Sequence, residues 1–109
     1  MINTASEYQV VYTMQYYDDF TSIAEHYLNQ FKDKNLIENL KNHVIANEEI
    51  LKTFPRSFPS FKSSKPLKHE YRSFRALNYK VFFYIDEESK TIYMERILYS
   101  GMDLDNTAI

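Results

Sequence analysis

Cysteine is absent from the 109 residues, glycine occurs once, proline three times and histidine three times. Without cysteine the chain has neither a disulfide nor a thiol nucleophile. His26, His43 and His69 are then the only imidazoles, and His26 and His43 have no acidic or histidine partner at ligand spacing on a shared helix face. No metal and no cofactor is expected. The chain also lacks an apolar run of about eighteen residues, and Met1–Thr13 lacks the basic start and apolar stretch of a secretory leader. The expectation is a soluble cytoplasmic protein that engages no membrane, with residues 1–109 forming a single domain around one modest core.

What is present is unevenly placed. The formal charge is −2, yet eight of the thirteen basic residues lie between Lys52 and Lys80, a stretch with one acid, Glu70. The remaining positions hold five basic and fourteen acidic residues. The middle of the chain is therefore cationic and the flanks acidic, so an anionic ligand would meet an attractive field in one region only.

Periodicity divides the chain into elements. Glu7–Thr13 alternates with a period of two, a strand with one buried face. From Met14 the apolar positions Tyr16, Phe20, Ile23, Ala24, Tyr27, Leu28 and Phe31 recur every three or four residues, a helix that Thr13 can cap. Asp33 can cap a second helix carrying Leu36, Ile37, Leu40, Val44 and Leu51. Thr53–Pro66 contains every proline and excludes helix or inner strand. Its phenylalanines Phe54, Phe58 and Phe61 are expected to cover an open edge of the core, with base stacking or partner binding as the alternative. Tyr71–Leu77, Tyr79–Asp86 and Thr91–Tyr99 then read as three strands joined by short turns, with Asn78 suited to a positive φ and Gly101 to a sharp turn. The order strand, helix, helix, three strands predicts an α+β fold, with a helical hairpin packed on one face of a small, mainly antiparallel sheet.

Alternation places Tyr71, Ser73 and Arg75 on one face of their strand and Lys80, Phe82 and Tyr84 together on the next. The last strand has no cleanly polar side, so its orientation stays open. A face offering Arg75, Lys80, Arg96 and the strand-end Tyr99 has the makings of a phosphodiester site. Cations stabilise charge that builds on a phosphorane, and a phenol can exchange a proton with an attacking or leaving oxygen. The structural alternative pairs Arg75 and Arg96 with Glu70, Glu95 or Asp103.

The element order, the segment YRSFRALNYKVFFYIDEESKTIYMERILYSGMD and the closing RILYSGMD resemble the RelE/ParE toxin superfamily over nearly the whole chain. The resemblance implies the toxin half of a bacterial type II toxin–antitoxin pair, held inactive by a cognate antitoxin. In its RelE-like branch it implies a metal-independent endoribonuclease that cuts mRNA on the ribosome. The corresponding positions here are Lys80, the Ser73/Arg75 pair and Tyr99, so Arg75, Lys80 and Tyr99 are expected as catalytic groups; Ser73 with the further cations Lys68, Arg72 and Arg96 is expected to contact RNA. Many nuclease members place histidine at or beside the last position, where Tyr99 and Ser100 stand. In the ParE-like branch the resemblance implies inhibition of DNA gyrase without cleavage. A non-toxic binding module of the same fold is the third possibility.

Overall fold

Thr13 stops the first strand and starts the first helix. Its Oγ accepts the Tyr16 N–H at 3.2 Å and donates to the Glu95 carbonyl at 3.1 Å, so one hydroxyl caps the helix and ties it to the sheet. The computed structural model describes residues 7–63 and 65–101. The elements are β1 (Gln9–Tyr12), α1 (Met14–Gln30), α2 (Lys34–Thr53), a 3-10 turn (Pro55–Ser57), β2 (Arg72–Ala76), β3 (Tyr79–Asp86) and β4 (Thr91–Tyr99). Asp33 caps α2 by accepting the Asn35 N–H at 2.9 Å.

The sheet runs β1-β4-β3-β2. β4 pairs parallel with β1 and antiparallel with β3, and β3 antiparallel with β2. The helical hairpin covers one face. Leu40, Val44 and Leu51 of α2 and Tyr16 of α1 close over Phe74, Ala76, Tyr79, Val81, Phe83, Ile92, Met94 and Ile97. No helix among the described residues is long and apolar enough to cross a membrane.

Three local features differ from the sequence expectations. The two-residue β2–β3 turn has its positive φ at Leu77, 55°, not at Asn78. Gly101 sits in the expected turn after β4, but without a positive φ; glycine is needed there for close approach, because a Cβ would run into the Tyr99 ring. In β4 the register slips between Phe82 and Phe83: Phe82 faces Arg96, Phe83 faces Met94, and Glu95 is the extra residue. A bulge of this kind breaks the alternation of side chains, which is why neither parity of β4 looked polar.

The face away from the helices is not open across its width. Tyr71, Phe82 and Leu98 are buried there beneath Phe61 and Leu67 of the proline-bearing segment. That segment also borders the outer edge of β2: the Phe61 N–H donates to the Tyr71 carbonyl at 2.7 Å and Ser60 bridges Arg72. Phe58 packs into the main core, while Phe54 remains 68% exposed. Covering is thus the role of Phe58 and Phe61, and Phe54 alone stands out from the surface.

Candidate functional site

β2 and β3 bring Arg75 and Lys80 directly opposite one another. Lys80 shares its side of β3 with Phe82, so the pair lies on the sheet face away from the helices, beyond the apolar cover. Arg75 is exposed and its Nε donates to the Leu77 carbonyl at 3.0 Å. No ion pair among the described residues involves Arg75 or Lys80. Like charges on directly opposed residues destabilise a sheet by roughly 0.2–1 kcal/mol, and an anion bridging the two removes that cost. Ser73 lies on the same side of β2, and all three residues line a cleft of about 360 Å³ that wraps the β2 edge toward Asn47, Phe58 and Pro59. The cleft supplies two cations and a hydroxyl. Its lining contains no histidine, carboxylate or tyrosine.

The other residues singled out from the sequence lie elsewhere. Tyr99 pairs with Tyr79, a member of the helix-side core, and the two rings meet edge to face at 6.1 Å. Tyr99 therefore stands on the opposite face from Lys80, although the sequence suggested they would converge. Arg96 reaches α1, where Nε and Nη2 contact Asp19 Oδ2 and Oδ1 at 2.7 and 3.0 Å. The same carboxylate accepts the Ile97 N–H at 3.1 Å, and its hydrogen bond to Arg96 raises the guanidinium pKa. Arg96 thus pins α1 to β4 through Asp19, a partner on another element that the sequence did not suggest; the expected partner Asp103 lies outside the described residues. Arg72 donates to the Phe58 carbonyl at 2.6 Å and meets Glu70 at 3.3 Å, holding the segment that borders β2. Lys68 is exposed on the loop that leads to His69.

That loop builds a feature the strand pattern alone did not show. The His69 ring stacks on Tyr84 at 3.8 Å and 4°, and Tyr84 stacks on Tyr93 at 5.1 Å and 22°. Tyr71 meets both His69 and Tyr84 edge-on at 5.8 Å. The Tyr71 hydroxyl donates to Glu95, and burial together with that carboxylate pushes its phenol pKa up. The signal available in the sequence was the parity that Tyr84 shares with Lys80; the bulge at Glu95 hid the matching position of Tyr93. A second concavity, about 560 Å³, lies between the helices and is lined by Tyr12, Tyr16, Tyr17 and Phe20 with Glu38, Lys41 and Glu48 among the polar groups. Among the described residues no group of three histidines, cysteines or carboxylates stands together as metal ligands would.

The fold is that of the RelE/ParE toxins. Over 86% of this chain and 97% of the other, it is similar to a chain of the chromosomal ParDE toxin–antitoxin system of Pseudomonas aeruginosa, with a TM-score of 0.65 at 14% identity. A chain of the archaeal RelE–RelB complex from Pyrococcus horikoshii is similar over 87% of this chain and 97% of its own, TM-score 0.56, at 15% identity. A chain of the RelBE2 toxin–antitoxin complex of Mycobacterium tuberculosis is similar over 85% and 98%, TM-score 0.53, at 19% identity. Neither a family model nor a curated protein matches the sequence.

Proposed function

We propose that the chain is the toxin of a type II toxin–antitoxin pair, neutralised by a cognate antitoxin, and that its target is mRNA held on the ribosome. The single observation that carries the target is the Arg75–Lys80 pair, two cations in no ion pair among the described residues, facing each other in a cleft with Ser73. In this reading Arg75 and Lys80 hold the scissile phosphate and stabilise the charge that develops on it, without a metal. Ser73 is within the same cleft to contact the sugar–phosphate chain, and Lys68 extends the cationic approach. Tyr99, Arg72 and Arg96 lie outside this working set because of their positions. Toxins of similar fold are described as parts of toxin–antitoxin complexes, which supports a protein antitoxin as partner.

A second reading draws on a different observation. The cleft offers charge but neither a histidine nor a carboxylate to serve as general base, and the long helical hairpin carries an aromatic concavity of its own. Those features suit a toxin that binds DNA gyrase and cuts nothing. Two assays on the purified chain separate the readings: mRNA cleavage in a reconstituted translation reaction, and gyrase supercoiling at large molar excess. Cleavage that requires ribosomes, with supercoiling unaffected, is expected. Blocked supercoiling with intact mRNA replaces the first reading by the second, and no growth defect on expression without the antitoxin removes both.

A further inference from the structure

We propose that His69, Tyr84 and Tyr93 form a platform for an unpaired nucleobase at the far end of the face that carries Arg75 and Lys80. This inference rests on the reading of mRNA as the target and adds a subsite to it. Tyr84 follows Lys80 by four residues on β3, on the same side, so at roughly 3.3 Å per residue the platform stands about 13 Å from the cationic pair. Between them lies the buried Phe82.

Three observations distinguish the trio from ordinary core packing. All three residues are only half-buried, whereas Phe82 and Leu98 beside them are closed off, so the stack keeps surface toward solvent. Tyr71, 1% exposed and tied through its hydroxyl to Glu95, props both His69 and Tyr84 from the side and fixes their orientation. The other tyrosines that reach carboxylates spend their hydroxyls on them: Tyr8 on Glu87, Tyr12 on Glu48 and Tyr71 on Glu95. The Tyr84 and Tyr93 hydroxyls and the His69 ring nitrogens make no hydrogen bond with the described residues, which leaves polar tips for a base edge.

The charges around the platform set which part of a nucleotide it takes. Glu95 beside the stack repels phosphate, while Arg75 and Lys80 at one end and Lys68 next to His69 attract it. A single strand laid along this face puts its phosphates on the cations and turns a base onto the rings. A duplex cannot, because its bases are already stacked and its edges paired.

The test measures binding of a fluorescein-labelled ten-nucleotide single-stranded RNA to the full chain over a range of salt concentrations, with the same RNA annealed to its complement as comparison. The wild type is expected to prefer the single strand. His69→Ala and Tyr93→Leu each weaken single-strand binding by about tenfold, within the range of single stacking contacts, and leave the salt slope unchanged. Lys80→Ala lowers that slope by about one phosphate's worth. Should both ring variants bind like wild type while Lys80→Ala still lowers the slope, the platform is refuted and the phosphate site survives. No binding by the wild type overturns the platform as a free-standing site, and the mRNA reading is then decided by the ribosome-dependent cleavage assay. Because a variant at the stack can lose its fold, the wild-type His69 ring protons are also followed by NMR as oligoadenylate is added. An upfield ring-current shift is expected, and an unmoved resonance overturns the platform.

Discussion

Glu87 accepts hydrogen bonds from Arg56, Lys90 and Tyr8, and these hold its carboxyl down at about 2. The Lys90 ammonium also sits 4.9 Å from the centre of the Tyr8 ring, so one side chain joins the 3-10 turn, the β3–β4 turn and the entry to β1. An unfolded glutamate titrates near 4.3, so the folded carboxyl is the stronger acid. The clamp's contribution is whole above that value and is lost as pH falls toward about 2. Replacing Glu87 with Gln should flatten the pH dependence of the thermal midpoint across that window and leave it unchanged above pH 6. The charges are open to solvent, so the whole effect should shrink in high salt. At the β2–β3 turn, Leu77 holds a left-handed conformation that costs a residue with a Cβ roughly 1–2 kcal/mol. Glycine removes the strain but gives back about 0.5–1 kcal/mol in unfolded-chain entropy. Leu77→Gly should therefore raise stability to urea by up to about 1 kcal/mol. The sequence pointed to Asn78 because asparagine tolerates that region; the observed register puts the requirement one residue earlier.

The elements themselves were largely readable. Thr13, Asp33 and the apolar spacing after each mark the two helices, since capping and the 3.6-residue period act locally. Thr13→Ala tests the double use of that hydroxyl: it removes a helix cap and a bond to the β4 carbonyl, so a loss of about 1–2 kcal/mol in chemical denaturation is expected. A loss of a few tenths would show that the cap is dispensable. What sequence periodicity could not supply was the bulge at Glu95, because its cause is a mismatch between two strands and not a property of either. The same applies to Arg96, whose partner Asp19 lies on another element 77 positions away. Read along β4 alone, Arg96 looked like a surface cation; α1 turned it into a tether.

At the scale of the molecule, the concentration of cations between Lys52 and Lys80 does not become one continuous basic face. Arg56 and Arg72 are taken up in holding the proline-bearing segment against the sheet, and that segment closes the middle of the face with Phe61 and Leu67. What remains is a short cationic corner at Arg75 and Lys80 and a separate aromatic stack with Lys68 exposed beside it. The sequence therefore identified the fold and the cation pair, but not the cover between the two ends or the facing of Tyr99. Tyr99→Phe should leave growth arrest intact, since its ring packs against Tyr79 away from the corner. The central claim is that Arg75 and Lys80 form the working surface, and growth arrest on induced expression without antitoxin tests it most directly. The Arg75→Ala/Lys80→Ala double variant should abolish arrest while melting at or above the wild-type temperature, because it removes a like-charge opposition. Full arrest by that folded double variant would contradict the account.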